Sequence, residues 1–111
     1  MNIYDTANKL ASEIKQSEEY MNYKMAKEAL NLNQELKKKI SEFEMMRYDT
    51  QLTAIQTGKN DEEKIKKMQD LYAELIENNE AQKYFESETK FNIIIADVNK
   101  IIGEAIRDVM Q

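Results

Sequence analysis

Three tyrosines are the first residues whose type and spacing could do chemistry. Tyr20 and Tyr23 stand three apart in "SEEYMNYKMAKEAL", and Tyr84 sits in the similar stretch "NEAQKYFESETKF". Laid on each other, the stretches match Glu19 with Glu80, Tyr23 with Tyr84, Ala26 with Ser87 and Leu30 with Phe91. One reading is a doubled binding motif, with ring faces forming a cage for a cation. The plainer reading is favoured: both stretches are helix starts that turn an aromatic and a small residue onto the same kind of surface. Tyrosine suits that place because its ring packs while its hydroxyl stays in water.

The remaining reactive chemistry is soon exhausted. Glu86 and Glu88 are placed to contribute to a carboxylate-bridged metal site of the kind helix bundles build. Such sites want Glu-x-x-His pairs, and the chain has no histidine, so an exposed helix edge is the better expectation for both acids. The chain has no cysteine either, which removes thiolate nucleophiles, disulfides and soft metal sites, and with histidine goes the commonest general base. A serine or lysine nucleophile needs an activating partner, and no constellation presents one. The two glycines, Gly58 and Gly103, form no phosphate-cradling loop. The expectation is therefore no catalytic residue, no cofactor and no metal.

Two surface features remain. The lysine clusters "ELKKKI" and "EEKIKKM" are flanked by glutamates, as on a solvated helix face with glutamate–lysine pairs three or four apart. With a net charge of −5, no basic face for phosphates is expected, and so no direct nucleic-acid binding. Seven methionines suit either gap-filling in an irregular helical core or a surface that adapts to partners. Met21 and Met25 share a face, offset from the Tyr20/Tyr23 side. If exposed, they mark a partner patch.

The elements that must position these residues follow from composition. A chain of 111 residues with 33% charged and 41% hydrophobic residues, no proline and two glycines has few places to turn. Long amphipathic helices in a single helical domain, 1–111, follow. Asn2 caps a first helix whose face is Ile3, Ala7, Leu10 and Ile14. Ser17 caps a second over about 18–30, carrying Tyr20, Tyr23 and Leu30. "NLN" at 31–33 is a turn, and a third helix over about 34–57 shows Leu36, Ile40 and Phe43, then Met45, Tyr48, Leu52 and Ile55. That jump of the stripe in mid-helix predicts a change of neighbours along the helix.

Gly58 falls just past the helix end, where left-handed backbone is needed. Asn60 or Asp61 caps a fourth helix bearing Ile65, Met68, Tyr72 and Leu75, with Glu63 in capping-box spacing from Asn60. The short loop makes helices three and four an antiparallel hairpin. After the turn "ENNE", a last helix runs from near Glu80 to about Met110, showing Phe91, Ile95, Val98, Ile102, Ala105 and Val109 at alternating four and three. Ile93, Ile94 and Ile101 widen that stripe, so this long apolar C-terminal helix is expected to be covered on more than one side. Gly103 inside it either allows close helix approach or marks fraying.

Three parts of the chain together resemble a known family: "NIYDTANKLASEIKQSEEYMNYKMAKEAL", the glycine hairpin near the middle, and "YFESETKFNIIIADVNKIIGEAI". The ordered set "YD-x-A-x-x-L", "S-E-E-Y" and "Y-x-x-x-E" is similar to that of the YlbF/YmcA family of small bacterial helical proteins, most of all its YheA-type branch. The resemblance covers nearly the whole chain. It implies an all-helical protein that associates through its helices, of a kind whose members act as accessory regulators in Gram-positive bacteria, in a complex linked to an RNA-degrading endonuclease and to competence, sporulation and biofilm development. Members that hold iron–sulfur clusters do so with cysteines toward their C-termini. This chain has none, so that cluster is not carried over.

The expected fold is all-α, of about five helices. A homodimer is predicted, with Phe91, Ile94, Ile95, Val98, Ile101 and Ile102 contributing to core and interface. The expected function is a non-catalytic interaction or regulatory protein, with other bacterial regulatory proteins as partners. The alternatives are a self-assembling structural module whose only partner is itself, and a small-molecule sensor with a pocket lined by Tyr20, Tyr23 and Tyr84. The N-terminus has interspersed charges and no signal-peptide core. The longest apolar run, "IIIA", is far short of the roughly 20 residues of a membrane span. A soluble cytoplasmic protein is the default expectation.

Overall fold

The computed structural model describes residues 2–110. It holds five helices, α1 (Ile3–Lys15), α2 (Glu18–Asn31), α3 (Gln34–Thr57), α4 (Glu62–Leu75) and α5 (Asn79–Met110), and no strand among the described residues. The protein is all-α.

Short polar side chains set the helix starts. The Asn2 side chain accepts from the Tyr4 amide at 2.8 Å, and Ser17 Oγ accepts from the Tyr20 amide at 3.1 Å. Asn33 and Asn78 do the same for α3 and α5, accepting from Leu36 at 3.1 Å and from Glu80 at 2.9 Å. Each satisfies a first-turn donor that has no partner within its own helix. Before α4 the cap is Asp61, whose carboxylate accepts from the Glu63 and Lys64 amides. Of the two candidates at that start, Asp61 is the one used. Gly58 ends α3 with φ of 73°, and its amide donates to the Ala54 carbonyl. A side chain there would be strained in this left-handed conformation.

The chain divides into two compact units, Lys27–Lys83 and the pair Met1–Ala26 with Tyr84–Gln111. In the first of these, α3 and α4 pack as the antiparallel hairpin. Phe43 meets Tyr72 with ring centroids 5.4 Å apart, and Lys39 pairs with Glu74 at 3.7 Å. Nearer the turn, Lys64 reaches across to the Asp49 carboxylate at 3.0 Å and the Thr53 hydroxyl at 2.9 Å. Leu30, Leu36, Ile40, Phe43, Leu75 and Ala81 are this unit's buried apolar side chains.

The inward row of α3 does not jump as the sequence suggested. It runs on at helical spacing from Leu36, Ile40 and Phe43 through Arg47, Thr50 and Ala54, all buried or half-buried. Met45, Tyr48 and Ile55 are instead exposed, at 72%, 67% and 80%. The apolar stripe moved off the packed side, and small or polar residues took its place against α4.

In the other unit, Tyr84, Phe85 and Ser87 at the front of α5 are buried. Beyond Val98 every described residue of α5 is exposed. The expectation that this helix is covered on more than one side therefore fails within the chain.

Candidate interaction surface

The repeated tyrosine phrase is resolved by the contacts of α2 with α5. Tyr23 lies 5.8 Å from Tyr84 and 5.7 Å from Phe91, ring to ring, and Tyr20 lies 5.9 Å from Phe91 in an edge-on arrangement. The two copies are helix starts docked on each other. At such distances the rings fill one another's space as aromatic pairs do in cores, which argues against both the cation cage and the sensor pocket at this place. Ser87, the small residue of the second copy, returns its hydroxyl to the Tyr84 carbonyl at 3.1 Å.

One acid enters this aromatic seam. Glu88 Oε2 lies 3.5 Å from both the Tyr23 and the Tyr84 hydroxyl, the far end of hydrogen-bonding reach. Glu86 is exposed. Glu88 thus turns inward to accept from two phenols. Its position one helical turn after Tyr84 is the signal that could have found it. Among the described residues no group of three acids is gathered as a metal site would need.

The side chains expected to form core and interface on α5 separate along its length. Phe91, Ile94, Ile95 and Val98 are half-buried. Ile101 and Ile102 are 69% and 51% exposed, and Ile106, Val109 and Met110 continue the apolar strip into solvent. None of the six is in the buried core. The strip keeps its four-three spacing throughout, while Asp97, Lys100, Glu104 and Arg107 lie on the far side of the helix at about 100° per residue. In α1 the face is uncovered only at its start, where Ile3 and Ala7 are exposed, as is Tyr4, and it is half-buried at Leu10 and Ile14. Met21 and Met25 are exposed on α2.

Such surface is costly in a monomer, since contiguous exposed apolar patches beyond a few hundred Å² are rare outside interaction sites. No helix among the described residues is long and apolar enough to cross a membrane.

Comparison with known proteins finds one family over nearly the whole chain. The family described as "Control of competence regulator ComK, YlbF/YmcA" matches residues 3–107. The chain belongs to the YlbF/YmcA family. Among its relatives is a UPF0342 protein of Desulfitobacterium hafniense, 37% identical over 110 residues, covering 99% of this chain and 89% of the relative. UPF0342 proteins of Caldicellulosiruptor bescii and Clostridium novyi are 30% and 29% identical, over 95% and 97% of the chain and 88% and 95% of their own lengths. The YlbF/YmcA match thus takes in α1 to α4 and follows α5 to residue 107.

Proposed function

We propose that this YlbF/YmcA protein is a non-catalytic regulatory protein that works by helix-to-helix docking, and that it does so as a homodimer. The observation that carries the reading is the apolar strip of α5, which continues at four-three spacing for three turns past its last half-buried residue. A second copy can supply the missing neighbour through the same patch, as twofold symmetric pairs do. Phe91, Ile94, Ile95, Val98, Ile101 and Ile102 contribute to that pairing, and Met21 and Met25 mark a further patch for a regulatory partner. The family's description as control of a competence regulator supports a regulatory role. An accessory part in RNA turnover or developmental regulation belongs to the same proposal.

Light scattering of the purified protein tests the pairing. The wild type is expected at twice the 13.1 kDa of one chain, and Ile94→Lys with Ile101→Lys at the mass of one chain with its helical circular dichroism kept. A wild type of single-chain mass, or a double variant that stays folded and paired, overturns the homodimer. Affinity purification of the tagged protein from its native cell, with an RNase-treated control, tests the regulatory role. Recovery of an endoribonuclease or its regulators after RNase supports it. Recovery of the protein alone favours the self-assembling module.

A further inference from the structure

Past Val98 the α5 helix has to hold itself together, and its residues are poor at doing so. Every residue from Asn99 to Met110 is exposed, so packing, which gives most helices in proteins their stability, adds little there. Ile101, Ile102, Ile106 and Val109 are β-branched and lose side-chain freedom against the preceding turn. Asn99 and Asp108 compete with the backbone for hydrogen bonds, and Gly103 is the weakest helix former after proline. In the last turn Arg107 suits the negative end of the helix and Asp108 opposes it. The earlier half of α5 spares this segment the cost of nucleation. Each further residue must still favour the helix by itself, and few here do.

The helical form is nonetheless the one that gathers the strip. At about 100° per residue, Ile102, Ala105 and Val109 fall on one side of the helix and continue Ile95 and Val98. An open chain scatters them. A neighbour that covers the strip therefore binds the helix and not the open chain, and shifts the balance by that difference in affinity. The half before Val98 does not share this behaviour. Tyr84, Phe85 and Ser87 are buried there, and ring contacts with Tyr20 and Tyr23 hold it. The boundary between held and unheld helix falls at Val98.

We infer that residues 99–110 form a switch, helical where the strip is covered and open in a copy that stands alone. The switch is a property of this chain; that a second copy operates it rests on the homodimer proposed above. Proteases cut an open segment at a rate that follows the population of the open form. Pairing thus shields the protein, an unpaired copy is the one removed, and the amount of protein is tied to its association.

Trypsin reads the switch, because Lys100 and Arg107 lie inside the segment and Lys90 lies on the held half of the same helix. All three are exposed, so opening of the backbone decides the rate. The whole protein is given a pulse of trypsin, the products are identified by mass spectrometry, and solution mass is measured by light scattering. The wild type is compared with Ile102→Glu, which sets a charge in the strip at a residue 51% exposed. Glutamate is the better helix former of the two, so opening in that variant comes from lost cover. The wild type is expected at the mass of two chains, with slow cutting at all three sites. Ile102→Glu is expected at the mass of one chain, cut at Lys100 and Arg107 about tenfold faster, with Lys90 still slow. Adding Gly103→Ala to it should slow those two cuts about fivefold, as the helix propensities of alanine and glycine imply. No slowing would show that cutting does not follow the helix, and overturns the switch. Ile102→Glu of single-chain mass, cut at Lys100 and Arg107 as slowly as at Lys90, overturns the switch and leaves the homodimer standing. An Ile102→Glu variant that still pairs also overturns it, since pairing then does not need the strip. A wild type of single-chain mass removes the homodimer. The switch then requires fast cutting at Lys100 and Arg107 in the wild type itself, and slow cutting there overturns it too.

Discussion

A buried hydroxyl with no partner destabilises more than a methyl group in the same place, because its water is lost and nothing replaces it. Thr50 is such a residue, 8% exposed on the packed side of α3 with its Oγ1 unsatisfied among the described residues. Valine has nearly the same shape and keeps the branched Cβ. Thr50→Val is therefore expected to raise the free energy of unfolding by about 1 kcal/mol, read as a higher urea midpoint at unchanged slope. A lower midpoint would show that the hydroxyl has a partner. Ser87 is the contrast: its hydroxyl donates to the Tyr84 carbonyl at 3.1 Å, so it is satisfied where it lies. At this scale the capping residues were legible in the sequence, because Asn2, Ser17 and Asp61 act on amides two or three positions away. Thr50 was not legible. Its burial depends on α4, and nothing in a threonine's neighbours along the chain announces that.

Helices show the same division between local and distant causes. The starts of all five follow from capping side chains and the end of α3 from Gly58, which are short-range causes. Which side of α3 is packed does not follow, since two apolar rows on one helix are equally visible in the sequence and only the position of α4 chooses between them. The distal part of α5 is the other case. Its residues beyond Val98 are all exposed, so it is held chiefly by its own helical hydrogen bonds. Gly103 lies in that part, and a Cβ built on it meets nothing within 4 Å among the described residues. Close helix approach within the chain is thus not its reason. Gly103→Ala should favour the helical state there by about 1 kcal/mol. The effect belongs to local opening, so amide hydrogen exchange is the measurement. Exchange at 104–109 is expected to slow severalfold while the amides of 84–95 keep their rates. Unchanged exchange at 104–109 would mean that the distal helix opens only with the whole unit. Position 103 lies off the apolar row, so the variant should keep the wild-type mass.

For the molecule as a whole, the question is where its uncovered apolar surface goes. The distal strip of α5 and the exposed Ile3 and Tyr4 of α1 belong to one unit. The sequence signalled this through a last helix apolar enough to be covered on more than one side, without dividing that cover between the chain itself and a second copy. Distinguishing coverage by the chain from coverage by a second chain needs the fold, because only there does it emerge that nothing in the described residues reaches past Val98. If a second copy supplies the cover, folding is coupled to association, and a bound partner stabilises the native state by mass action. The melting temperature should then rise with protein concentration, each tenfold increase adding about 1.4 kcal/mol to the driving force for association. Ile101→Lys places a charge in the middle of the strip, where leaving it unpaired in an interface is costly. Its melting temperature should be lower than that of the wild type at high concentration and should not change on dilution. The two curves should converge where the wild type is dilute enough to separate, since Ile101 contributes little to the single chain at 69% exposure. A wild-type melting temperature that is flat across the range, together with a variant that melts where the wild type does, would remove the second copy as the cover.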